Sequence, residues 1–88
     1  MVYFEVDSRL ERIGEKAFAR STLEVFAAPP LLKILGKEAF RGCENLRAVV
    51  LNAGLQVIGD SCFEETSIEW IGIPTNVREI GTGAFRGC

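Results

Sequence analysis

The sequence predicts an α/β repeat fold, a solenoid of short coils with a parallel β-sheet along one face. A phrase of the form Ile/Leu-Gly-x-x-Ala/Cys-Phe occurs four times, and it ends at Phe18, Phe40, Phe63 and Phe85. Successive phenylalanines are 22, 23 and 22 residues apart. A constant period of this length is typical of stacked coils, because each coil is too small to bury its apolar side without a neighbour.

A second apolar phrase supplies the strand of each coil. Its four copies start at residues 1, 23, 46 and 68, and the last copy ends in the alternating pattern Ile71-x-Ile73 before Pro74. Such alternation predicts a half-buried strand, and proline ends a strand because it cannot donate a ladder hydrogen bond. We therefore expect residues 1–88 to form a single segment of about four coils, and we expect it to be an excerpt of a longer repeat protein.

Each coil is predicted to turn at the glycine that precedes its phenylalanine. These glycines are Gly14, Gly36, Gly59 and Gly81. Glycine at such a turn indicates either a positive φ or a close approach of another backbone. The following Ala/Cys-Phe pair is expected on a short helical or 3₁₀ turn at the back of the coil, with the four phenylalanines in one internal stack.

Composition excludes several classes of function. The 88 residues carry a net charge of −2, so the basic face that nucleic acid requires is missing. No apolar run is long enough to span a membrane. The chain has no histidine, which removes Ser-His and Cys-His catalysis and weakens any case for zinc. We expect no enzyme activity, no cofactor and no metal, and we expect the carboxylates of Glu64 and Glu65 to be solvated.

The three cysteines are predicted to be free, buried thiols. Cys43 and Cys88 have the same register two coils apart, a distance of about 10 Å, whereas a disulfide needs Cα atoms within about 7 Å. Cys62 belongs to another column. Ser21 and Thr66 alternate with Cys43 and Cys88 in their column, which indicates a site for a small group that hydrogen-bonds the turning backbone.

The combined template resembles the BspA-like, or Treponema-type, leucine-rich repeat. Its pattern is F-x-x-C-x-x-L-x-x-I-x-I-P-x-x-V-x-x-I-G-x-x-A-F, and the resemblance covers essentially the whole chain. It implies a right-handed leucine-rich-repeat solenoid with its parallel sheet on the concave face. Members are mostly surface-exposed or secreted proteins of bacteria and some protozoa, associated with adhesion to host or matrix proteins and with aggregation between cells. This chain departs from the pattern at Ser21 and Thr66, often cysteine in the family, and at Asn52, where the family has proline.

The outward side of the predicted sheet is the candidate binding surface. If the large apolar residues of each strand point inward, their neighbours point outward. These neighbours are unusually apolar and include two aromatic side chains, as binding sites often do. The predicted ligand-binding residues are Tyr3, Val25, Ala48, Val50 and Trp70.

Two functional interpretations follow from this surface. The first is a non-catalytic module that binds a protein partner at the cell surface or outside the cell. The alternative is a structural or self-assembling segment, a stalk or fibre whose coils stack end to end. Beside the apolar rows, Glu24, Arg47 and Glu69 are expected to form a ladder of alternating charge.

Overall fold

Short parallel strands organise the chain into coils. The structure is a computed structural model and describes residues 9–88. The strands within this range are β1 (Arg12–Ile13), β2 (Val25–Ala27), β3 (Ile34–Leu35), β4 (Ala48–Val50), β5 (Val57–Ile58) and β6 (Glu79–Ile80). No helix is present between residues 9 and 88.

The strands form two sheets on different sides of the coils. One sheet has the order β1-β3-β5-β6 and the other pairs β2 with β4, and every pairing is parallel. The register places Ile13, Leu35, Ile58 and Ile80 in a single column. Equivalent residues of successive repeats are therefore stacked, which confirms the predicted solenoid.

The backs of the coils are built from turns. Ala17 N–H donates to the Gly14 carbonyl three residues earlier at 3.2 Å, whereas Phe18 N–H donates to Ala39 of the next coil at 2.8 Å. The same alternation continues in the next two coils. The bonds to the third preceding residue are those of the expected 3₁₀-type turns. A regular helix does not form because Lys16, Glu38, Ser61 and Gly83 all have positive φ.

The predicted phenylalanine stack is confirmed. Phe40 lies between Phe18 and Phe63, with ring centroids at 5.4 and 5.2 Å and interplanar angles of 12° and 5°. Phe63 stacks on Phe85 at 5.6 Å. Phe26 of β2 adds a tilted contact to Phe40 at 4.6 Å. One continuous column of rings thus joins the coils through the centre of the core.

The strand predicted at the apolar phrase of the fourth coil, Ile71-x-Ile73, does not form, so that prediction is wrong. Residues 69–73 form no strand, and none of their backbone groups is hydrogen-bonded to β4. Ser67 N–H still donates to the Leu46 carbonyl at 2.9 Å, so the segment enters in register and then leaves the sheet. Gly72 and Pro74 weaken a strand here because glycine adds backbone entropy and proline lacks a donor. The phrase predicted at residues 1–7 lies outside the described residues.

The cysteine column has the predicted hydrogen-bonding role. Cys43 Sγ donates to the Phe18 carbonyl at 3.0 Å and lies 3.4 Å from Ser21 Oγ. Cys88 Sγ makes the equivalent bond to Phe63 at 3.1 Å. All three thiols are free, but the prediction that all three are buried is wrong, because Cys88 is exposed.

Asn52 takes over a structural role where the family has proline. Its Nδ2 group donates to the carbonyls of Leu32 and Pro30 in the preceding coil, at 2.7 and 3.2 Å. A proline could make neither bond. Side-chain bonds to backbone carbonyls therefore tie the corners of two adjacent coils, in addition to the two sheets.

Thiol reactivity should separate the three cysteines. Burial raises the pKa of the Cys62 thiol to about 12, so almost no reactive thiolate forms at about pH 8. Cys43 has no exposed surface, whereas Cys88 is exposed. A disulfide reagent should therefore label one thiol quickly in the native protein and three after denaturation. Cys88→Ser should abolish the fast phase, and a fast phase that survives in Cys88→Ser would contradict this assignment.

Candidate protein-binding face

The outer side of β2 and β4 is a small apolar surface, called here the β2–β4 face. It consists of Val25 and Ala27 on β2 and of Ala48 and Val50 on β4. Val25 pairs with Ala48, and Ala27 pairs with Val50, in the parallel register. Phe26 and Val49 between them are buried in the core, so alternation turns the face residues outward. Val50 is 64% exposed.

Trp70 extends this surface into the next coil. Its side chain is 79% exposed, although it is the only tryptophan in the chain and a large apolar group. The indole lies beside Gly72, since a Cβ atom built on that glycine would be 3.5 Å from Trp70 Cη2. A larger residue at position 72 would restrict the ring. Gly72 therefore allows the indole to lie along its own segment with most of its surface open.

The structure places the predicted site residues in different environments. Val50 and Trp70 are exposed, whereas Val25 and Ala48 are half-buried beside their neighbours. Val25, Ala48 and Val50 lie on the paired strands β2 and β4. Trp70 does not, because its segment leaves the sheet. Tyr3 lies outside the described residues.

Charged side chains line one edge of the β2–β4 face. Arg47 Nη2 lies 3.4 Å from Glu24 Oε1, which forms half of the predicted ladder. Glu69 is exposed and makes no hydrogen bond or ion pair with any residue in the range 9–88. Arg47 and Glu69 line a common open groove of about 430 Å³, together with Ala48 and Ser67. Within the described residues, Arg47 is therefore paired with Glu24 but not with Glu69.

A second charged cluster lies on the backs of the coils, centred on Arg41. Its guanidinium hydrogen-bonds Glu38 in the same coil and lies 3.2 Å from Glu64 and 3.8 Å from Glu65 in the next. Glu64 is only 6% exposed, so the expectation that it is solvated is wrong. A sequence signal existed: Arg41 and Glu64 are 23 residues apart, as are Phe40 and Phe63. The cluster is a tie between coils, because a buried carboxylate needs a charged partner.

The Arg41 cluster changes the titration of Glu38. The hydrogen bond from Arg41 holds the pKa of the Glu38 carboxyl below its usual value of 4.5; burial acts in the opposite direction, and Lys16 at 3.9 Å lowers it further. The charged form is therefore the one that the folded protein favours. The direction of this shift at Glu38 is opposite to that expected of a catalytic acid, whose pKa would be raised.

In Glu38→Gln, the free energy of unfolding should fall less steeply than in the parent protein as the pH is lowered. Because the folded pKa lies below the usual 4.5, the carboxylate stabilises the fold above that pH, and its contribution is lost as the pH falls through the folded pKa. Urea unfolding from neutral pH to about pH 3 measures this slope. Lys16→Gln removes a smaller contribution to the lowered pKa of Glu38. It should change the dependence of stability on pH in the same direction, but by less. Identical slopes for Glu38→Gln and the parent would contradict the assignment.

Neither a cluster of possible metal ligands nor a membrane-spanning helix is found within residues 9–88. Within residues 9–88, no group of three or more His, Cys, Asp or Glu side chains could hold a metal ion. In the same range no helix is long and apolar enough to cross a membrane.

Comparison with known proteins agrees with the architecture. The family model described as "BspA type Leucine rich repeat region (6 copies)" matches residues 1–88. Among solved structures, the chain is similar to the pneumococcal vaccine antigen PcpA, with a TM-score of 0.90 and 29% sequence identity. The match covers 96% of this chain and 22% of that one, so the chain spans about a fifth of the antigen's length. No curated protein sequence gave a match. The chain belongs to the BspA-type leucine-rich-repeat family.

Proposed function

We propose that this chain is a non-catalytic module that recognises a protein partner through the β2–β4 face and Trp70. The observation that carries the proposal is the exposure of Val50 and Trp70, at 64% and 79%, on one side of a packed solenoid. Leucine-rich repeats generally mediate protein interactions and are generally non-catalytic. Exposed apolar groups gathered on one face are more typical of a contact surface than of a solvated one.

The scaffold beneath this face supports recognition. The stacked phenylalanines and the two sheets hold the strand backbones in place, so binding orders few groups and little conformational entropy is lost. Tryptophan is among the residues that most often dominate binding energy at protein interfaces. We therefore assign Trp70 the largest contribution and the aliphatic residues of the β2–β4 face a complementary one.

We further propose that the module acts at a cell surface or outside the cell, in adhesion to a host or matrix protein. The likeness to PcpA, a vaccine antigen, supports this setting. The free thiols support neither a location inside the cell nor one outside it. The proposal depends on the parent protein being displayed, which surface labelling of intact cells would test.

Binding to immobilised matrix proteins tests the proposal. Val50→Asp should weaken a specific interaction roughly tenfold, because it places a charge at the centre of an apolar contact. Leu31→Asp is the matched control, since Leu31 is also exposed, at 48%, but lies outside the face. Equal weakening by both variants, with unchanged melting temperatures, would overturn the assignment of the face. Growth into rods with concentration in light scattering would favour the structural alternative.

A further inference from the structure

We propose that the partner presents a basic side chain, arginine by preference, to Trp70 and Glu69 at the edge of the β2–β4 face. This inference rests on the proposed function and adds the chemistry of the contact. It commits to a guanidinium or ammonium group on a protein. An apolar anchor at the same place is the competing outcome.

The first support is an open position in the row Glu24, Arg47, Glu69. Charges alternate along the row, yet Arg47 is paired with Glu24 at 3.4 Å and Glu69 has no partner in the described part of the chain. Opposite charges on neighbouring segments attract, and a carboxylate at the end of such a row attracts a further cation. The chain as a whole is also acidic, with a net charge of −2.

The second support is the indole of the adjacent residue, Trp70, which lines the same pocket as Glu69. Trp70 directly follows Glu69, is 79% exposed and makes no polar contact through its ring nitrogen within residues 9–88. Tryptophan is the aromatic side chain that attracts cations most strongly. A guanidinium suits both groups at once, because its plane stacks on an indole while its N–H groups bond a carboxylate.

The third support is a space that both residues share. An open pocket of about 310 Å³ is lined by Ile68, Glu69, Trp70, Ile71, Phe85 and Cys88. Glu69 and Trp70 therefore border the same space, whereas Arg47 does not line it and is paired with Glu24 at 3.4 Å. The apolar side chains of Ile71 and Phe85 suit the methylene groups of an arginine.

An apolar anchor satisfies this edge less well. Packing a leucine or phenylalanine on Trp70 would remove water from Glu69 without giving it a partner, and such a desolvated carboxylate opposes binding. A basic side chain covers the same indole surface and also neutralises the charge. The juxtaposition of Glu69 and Trp70 therefore favours a cation over an uncharged group.

Tryptophan fluorescence provides the test, since Trp70 is the only tryptophan. The probes are acetyl-Gly-Arg-Gly-amide, the same peptide with neutral citrulline in place of arginine, and acetyl-Gly-Leu-Gly-amide. We expect saturable, salt-sensitive changes with the arginine peptide, about two- to fivefold tighter than with citrulline. Glu69→Gln should remove most of that difference. Glu79→Gln, an exposed carboxylate on β6 in the other sheet, should not.

The outcomes separate this inference from the proposed function. Equal binding of arginine and citrulline peptides, or no effect of Glu69→Gln, overturns the basic anchor. Tighter binding of the leucine peptide also overturns it while supporting an apolar contact at the same face. Loss of matrix-protein binding in Val50→Asp alone, with no preference for arginine, would leave the proposed function standing without this anchor.

Discussion

Phe40→Ala should lower the free energy of unfolding by about 3–5 kcal/mol, the largest effect expected for any single substitution in the core. Phe40 has no exposed surface and lies between two parallel rings, Phe18 and Phe63, with Phe26 against its edge. Alanine would leave a cavity in the middle of the column. Because each neighbouring ring belongs to a different coil or strand, the cavity cannot close without moving several coils.

Urea denaturation measures this loss, and Phe85→Ala is its matched control. Phe85 occupies the same register but is half-buried and stacks on one ring, Phe63, at 5.6 Å. It should cost clearly less than Phe40→Ala. Phe40→Leu keeps most of the volume and should cost an intermediate amount. Equal losses for the two alanine variants would mean that the ring column does not transmit stability between coils.

The stacking of the coils was predictable because identical positions recur at a nearly constant period. Phe40 and Phe63, or Leu35 and Ile58, can meet only if successive coils are in register, so the repeat implied both the phenylalanine column and parallel pairing. The role of the cysteine column followed in the same way. Ser21 in place of cysteine at that position indicated a polar requirement, and the bond from Cys43 to the Phe18 carbonyl meets it.

The local backbone was less predictable. Positive φ occurs two residues after each turn glycine, at positions occupied by lysine, glutamate, serine and glycine. No shared residue type marks that position, because bonds to the neighbouring coil impose the conformation. The missing strand at residues 69–73 has a similar origin: its apolar alternation matches that of β4, but alternation does not report whether the backbone groups find partners.

The candidate site was predictable as a set of rows but not as a set of contacts. Alternation assigned Val50 and Trp70 outward positions, and both are exposed. Whether Arg47 pairs with Glu24 or with Glu69 depends on side-chain conformation, which the sequence pattern does not contain. The same holds for the position of the indole beside Gly72. The open carboxylate of Glu69, on which the chemistry of the partner depends, therefore became visible only in the structure.

Gly59→Ala should destabilise the protein by about 1–3 kcal/mol, although alanine is a modest change. The turn glycines were expected to provide either positive φ or close approach. None of the four has positive φ, and the structure shows close approach at Gly36, Gly59 and Gly81. A Cβ atom on Gly59 would lie 2.7 Å from Gly36 C and 2.7 Å from Lys37 N. Both are backbone atoms of the preceding coil, so no side-chain rotation relieves the overlap. The coils would have to separate where Gly59 N–H bonds the Leu35 carbonyl at 2.8 Å.

Gly14→Ala is the matched control, because Gly14 occupies the same position as Gly59 in the Ile/Leu-Gly-x-x-Ala/Cys-Phe phrase of the first described coil. A Cβ atom there meets nothing within 4 Å among the residues that the structure describes. Alanine also reduces the entropy of the unfolded chain, so this variant should be neutral or more stable by up to about 1 kcal/mol. Thermal and urea unfolding of both variants give the comparison. If both substitutions destabilise equally, the glycines serve backbone conformation, and spacing between coils is set by the phenylalanine column alone.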